Sequence, residues 1–173
     1  MDIRDVFTFN GSDIGISVKD FVEWSLETAW DESNRGTLSE FIVKSSIESS
    51  AVPYNGRIMN MYCDGLSIAT SAAAFIQSHD GNNLDRISFS CVPCRFRDTI
   101  PDVFVFCLFK ATSRLDLPTE LSNWTFFIVS GDRIRSLGSR SITLHSLVRM
   151  GPIEADYYAI HGAISLLSME VLS

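Results

Sequence analysis

The chain reads as an α/β protein built on a mixed sheet. Three observations predict this. Apolar residues recur at roughly helical spacing between residues 18 and 49. The period then changes, and Asp64-Gly65, a strong hairpin signal, separates two strand-like runs. Further on, DVFVFCLF, Asp102 to Phe109, is apolar after its first residue, which suits a central strand covered on both faces.

Residues 1–16 are mixed, with Gly11 and Gly15 as breakers. Ser17 reads as a helix N-cap, and Asp20 three residues later completes a capping pattern. Phe21, Trp24, Leu26 and Ala29 extend that helix over about 18–31. Asn34-Arg35-Gly36 is expected to break it. A second helix, about 37–49, places Leu38, Phe41, Ile42 and Ser45 on one face, with Glu40 and Lys44 four apart.

Ala51 to Gly56 reads as a loop. Arg57 to Cys63 and Leu66 to Phe75 are the two arms of the hairpin. Ser78 to Asn83 is a polar connection, and Arg86 to Val92 alternates as a half-buried strand. A loop over 93–101 leads to the central strand. After a second loop, NWTFFIVS, Asn123 to Ser130, is the next strand. Ser141 to Leu144 suggests a short strand, Leu147 to Met150 a helical turn, and Ala155 to about Leu172 a final apolar helix. Without repeats or a linker, one domain spans residues 1–173.

The chain has 173 residues, 46% of them apolar, and a net charge of −7. Residues 1–64 carry −6, residues 65–150 carry +2 and residues 151–173 carry −3. An acidic balance argues against non-specific nucleic-acid binding, since phosphate contacts dominate that affinity. Arg95, Arg97, Arg133, Arg135 and Arg140, all in the mildly basic middle, are the candidate phosphate contacts. The last three are expected on a solvated loop. The N-terminal residues lack a signal-peptide pattern, and no apolar run is long enough to span a bilayer. The expected location is cytoplasmic, with no membrane partner and with the cysteines as thiols.

Cys91-Val-Pro-Cys94 has metal or redox spacing, but no second such pair exists and no helix is expected to follow it. His79, His145 and His161 are scattered, and His161 is expected half-buried in the last helix. No nucleophile elbow, phosphate-binding glycine loop or metal-ligand set is read from the sequence.

The stretch from Arg35 to Val129 resembles a bacterial family of small restriction-endonuclease-like proteins. The resemblance is carried by NRGTLSEFIV (34–43), the Asp64-Gly65 turn, AFIQS (74–78), LDRISF (84–89), DVFVFC (102–107) and NWTFFIV (123–129), in the family's order. It implies a restriction-endonuclease-like fold, with a mixed sheet flanked by the N-terminal helices and the apolar C-terminal helix. In PD-(D/E)XK nucleases an Asp on the first hairpin strand and a Glu on the second hold Mg²⁺, and a Lys two residues after the Glu orients the attacking water. Alignment on the turn and on AFIQS puts Met59, Ala69 and Ser71 at those three positions. None of them replaces a carboxylate or an amine.

The resemblance therefore implies a pseudonuclease without catalytic residues, metal or other cofactor. It would act by binding a protein, a second copy or, weakly, DNA, in a bacterial defence or DNA-processing system. The rival expectation is an active Mg²⁺-dependent nuclease with a relocated site, drawing on the retained polar residues Glu40, Lys44, Asp64 and Gln77. The remaining alternative is a purely protein-binding module. The apolar face of the last helix (Tyr157, Ile160, Ile164, Leu167, Val171) is either an interface or part of the core.

Overall fold

A computed structural model describes residues 2–27, 32–47, 53–54, 57–58, 61–75, 87–91, 100–113 and 115–171. It begins with a hairpin that the sequence reading did not anticipate: β1 (Val6–Phe9) pairs antiparallel with β2 (Ser12–Ser17). The signal was present. Asn10 and Gly11 join the strands, both at positive φ (50° and 79°), as a tight two-residue turn requires.

Helix α1 (Val18–Glu27) starts where the capping pattern predicts. The Ser17 backbone N–H and hydroxyl both donate to Asp20 Oδ2 at 2.7 Å, and the Asp20 N–H donates back to Ser17 Oγ at 3.2 Å. Helix α2 (Glu32–Ser46) begins earlier than expected. Asn34-Arg35-Gly36 lies inside it rather than breaking it, and Arg35 is buried. Phe41, expected on its packed face, is 65% exposed, while Ile42, Val43 and Ile47 at the helix's C-terminal end are buried.

The described residues of the expected strand 57–63 take part in two pairings. Within it, β4 (Arg57–Ile58) pairs with β3 (Pro53–Tyr54), and β5 (Met61–Cys63) pairs with β6 (Leu66–Ala74). The β5–β6 turn is the expected Asp64-Gly65, with φ of 51° and 80°. The expected strand 86–92 is reduced to β7 (Ser88–Ser90). It lies outside the main sheet, paired with β10 (Ser141–Thr143). The central strand β8 (Val103–Phe109) is buried along its whole length, as its continuous apolarity predicts. Strand β9 (Trp124–Ser130) follows it antiparallel.

Beyond β9 the reading needs two corrections. Gly131–Leu137 is a helix, α3, where a solvated arginine loop was expected, and α4 (Leu144–Arg149) replaces the expected single turn. The last helix, α5 (Ile160–Val171), begins five residues later than expected. The residues before it include β11 (Ile153–Ala155), which pairs antiparallel with β9.

The main sheet has the order β11-β9-β8-β6-β5. All its neighbours are antiparallel except β6 and β8, which run parallel. Side-chain alternation separates two cores. On one face Ile68, Val103, Val105, Cys107, Phe109, Trp124, Phe126 and Ile128 pack under Ile42 and Val43 of α2, Ile47 just after it, and Ile160, Ile164 and Leu167 of α5. On the other, Ala69, Ala73, Phe104, Phe106, Leu108, Phe127 and Val129 pack under Phe89, Ile134, Ile142 and Leu147. The second cover comes from β7, α3, β10 and α4.

Two contacts fix how β8 sits between its neighbours. At its entrance Asp102 Oδ2 accepts from the Ser67 backbone N–H (2.8 Å) and hydroxyl (2.6 Å), and the Asp102 N–H donates to Ser67 Oγ (3.0 Å). This clamp sets the parallel register in which Ile68 opposes Val103. Across from it, the Gly131 N–H donates to the Asp102 carbonyl at 2.7 Å. A Cβ at residue 131 would lie 1.9 Å from the Pro101 carbonyl oxygen, so only glycine fits this approach.

Among the described residues, no helix is long and apolar enough to cross a membrane.

Candidate functional site

Ala69 and Ser71 lie two residues apart on β6, so both point to the β7/β10 face. Ala69 is buried and pairs in register with Phe104, while Ser71 is half-buried beside Phe106. Phe106 stacks on Phe104 with centroids 5.6 Å apart and meets Phe89 edge-on at 5.4 Å. The surroundings of Ala69 are hydrocarbon. Met59 and Gln77 lie outside the described residues.

Glu40 and Lys44 are half-buried on α2. That helix packs on the opposite face of the sheet, over Ile68 and Ala74. The sheet thus separates α2 from the face that Ala69 and Ser71 share. These four residues do not converge on one face.

The arginines divide in the same way. Arg133 and Arg135 stand on α3, not on a loop. The Arg133 guanidinium donates to the Met150 carbonyl and, at 3.3 Å, to the Gly151 carbonyl, capping the end of α4. Arg135 pairs with Asp132 at 2.8 Å within the same helix. Arg140 is exposed just before β10, and its carbonyl accepts from the Cys91 N–H at 2.9 Å. Arg95 and Arg97, like Cys94 and His79, lie outside the described residues.

Asp64 does gather partners, and they come from the last helix. Its carboxylate accepts from the Ser165 hydroxyl at 2.5 Å and lies 3.9 Å from His161 Nε2. Ser165 and His161 are one turn apart, so both point from α5 to the hairpin tip. His161 is therefore exposed and engaged with the hairpin, not half-buried in the core as expected. Cys63 precedes the turn and is buried, with its thiol pKa raised first by burial and then by the Asp64 charge. The ligand atoms of Cys63, Asp64 and His161 all lie within 4.8 Å of one another. Sequence reasoning missed this group because the turn and α5 are far apart in the chain, Ser165 lying 101 residues after Asp64. A Cys-Asp dipeptide at a hairpin turn with a distant His carries no spacing signal.

The other described cysteines offer less. Cys107 lies in the centre of the sheet, where burial raises its pKa strongly despite a hydrogen bond with Ser39. Cys91 is also buried, with its pKa raised by the same cause. Cys63, Cys91 and Cys107 are free thiols.

On α5, Ile160, Ile164 and Leu167 belong to the core, and Tyr157 packs against it. That face is core rather than interface, and the side chain of Val171 lies outside the described residues. Exposed apolar side chains occur on the outer side of this region, at Tyr158, Leu166 and Met169, and near the N-terminus, at Ile3, Val6, Phe7, Ile14 and Ile16. Comparison with family models, curated proteins and solved structures returned no match to this chain.

Proposed function

We propose that this chain is a pseudonuclease: a restriction-endonuclease-like protein that acts by binding, not by cleaving. The observation that carries the reading is the β7/β10 face of β6. Where the resemblance calls for a metal-binding Glu, Ala69 is buried against phenylalanines. A carboxylate there would be desolvated among apolar side chains. Where it calls for a Lys, Ser71 stands. Glu40 and Lys44, on the helix covering the other face, do not restore the pair.

A protein partner fits better than DNA. Arg133 and Arg135 already serve backbone carbonyls and Asp132, and the whole chain carries −7. The exposed apolar side chains of the β1–β2 hairpin and the segment before it are the kind of surface that partners cover.

The test is incubation with supercoiled plasmid in Mg²⁺ or Mn²⁺, beside duplex binding at low and moderate salt. The reading expects intact plasmid and no salt-sensitive shift. Cleavage that disappears in Glu40→Ala would overturn it in favour of a relocated nuclease site. Uncleaved plasmid with tight, steeply salt-dependent duplex binding would keep the pseudonuclease and replace the protein partner by DNA.

A further inference from the structure

We propose that Cys63, Asp64 and His161 form a binding site for a thiophilic divalent cation, Zn²⁺ foremost, that fastens the β5–β6 hairpin tip to α5. The donor set mixes a thiol, a carboxylate and an imidazole, the ligand types that zinc accepts together. Their ligand atoms lie within 4.8 Å of one another. In a tetrahedral zinc site, bonds of about 2.0–2.3 Å put ligand atoms roughly 3.3–3.7 Å apart, so the group closes by no more than about 1.5 Å on binding.

The two side chains that must move are free to do so. Asp64 is 43% and His161 55% exposed, while Cys63 is fixed in the packed strand. Cys63 directly precedes the tight Asp64-Gly65 turn, which holds the thiol and the carboxylate side by side. The Ser165 hydroxyl, 2.5 Å from Asp64 Oδ2, supplies the outer hydrogen bond that orients a ligating carboxylate. Three protein ligands leave the fourth position to water. Binding displaces the Cys63 proton, so affinity rises with pH.

This site is independent of the pseudonuclease reading: it lies at the hairpin tip, and DNA cleavage has no part in its test. Cobalt(II), a coloured stand-in for zinc, is titrated into the reduced full chain carrying Cys91→Ser and Cys94→Ser. The expected result is one Co²⁺ per chain, a sulfur-to-cobalt charge-transfer band and displacement by Zn²⁺. Cys63→Ser should abolish the band, and His161→Ala should weaken binding by at least about tenfold. Ser165→Ala should weaken it less. Zn²⁺ should raise the melting temperature of the parent chain but not of the His161→Ala variant. His161 is exposed, so its replacement leaves the fold intact and keeps the test decisive. A parent chain without a charge-transfer band, or a band unchanged by Cys63→Ser or His161→Ala, would overturn the proposal.

Discussion

The two faces of the central sheet are covered by different means. The α2/α5 face lies under two helices of 15 and 12 residues, whose Ile, Val and Leu side chains meet a row of mixed apolar residues. The β7/β10 face lies under short pieces: three-residue strands and the helices α3 and α4 of seven and six residues. There Phe89, Phe104 and Phe106 supply the bulk, and the small side chains of Ala69 and Ala73 on β6 make room for them. Long helices bring their own apolar stripe to a sheet. The α2/α5 face also carries large sheet residues, Phe109, Trp124 and Phe126, so what sets the second face apart is its short covers, held at a few fixed anchors. The second face should therefore be the less tolerant of added volume or charge.

The largest effect tests that intolerance directly. Gly131→Ala places a Cβ against the Pro101 carbonyl, at the point where α3 leaves the sheet, and backbone must shift to admit it. A loss of about 3 kcal/mol is expected by denaturant unfolding, at the upper end for overpacking. A loss under about 0.5 kcal/mol would mean that this junction is slack. Next comes Ala69→Glu, which buries a carboxylate among phenylalanines and should cost about 2–3 kcal/mol at neutral pH. The loss should shrink as the pH falls, because the buried carboxyl takes up a proton. Ser71→Lys, on the same face but half-buried, can run its amine out to water and should cost about 1 kcal/mol or less. Equal costs at 69 and 71 would remove the distinction between them.

Asp102→Ala removes the clamp on Ser67 without adding volume to either face. About 1–2 kcal/mol is expected, since the hydrogen bonds are charge-assisted but exposed. Hydrogen exchange should show the loss at the β6–β8 entrance on both sides of the sheet. The smallest effect lies away from both faces, at the α1 capping box. The Ser17 backbone and hydroxyl hydrogen bonds hold the Asp20 carboxyl below its usual range. A lowered folded pKa adds stability above the unfolded pKa, and the gain is lost as pH falls through the folded value. An NMR titration should show Asp20 protonating after an ordinary carboxylate as the pH falls, and Ser17→Ala, which keeps the backbone N–H bond, should move it part of the way back.

Much of this was legible in the residues. Continuous apolarity identified β8, the Asp-Gly pair identified the β5–β6 turn, and Ser17 with Asp20 identified the start of α1. Each is a local cause with a local effect. α3 was not legible, because GDRIRSL offers one buried apolar side chain, Ile134, where periodicity needs several. Gly36 was overrated as a breaker. A single glycine costs about 1 kcal/mol in a helix, and the packing of Ile42, Val43 and Ile47 outweighs that. At the candidate site, the separation of Ala69 from Glu40 follows from strand alternation together with the face α2 covers, and the latter is a tertiary choice. The meeting of Asp64 with His161 is wholly tertiary.

The outermost strands of the main sheet, β5 and β11, are three residues long each. Each offers an incoming strand only a few backbone rungs, too few to nucleate pairing with another chain. At these two positions the sheet is poorly suited to growing by strand addition, whether into a fibre or onto a peptide. At β5 and β11 a partner would be recognised through side chains rather than through an extension of the central sheet.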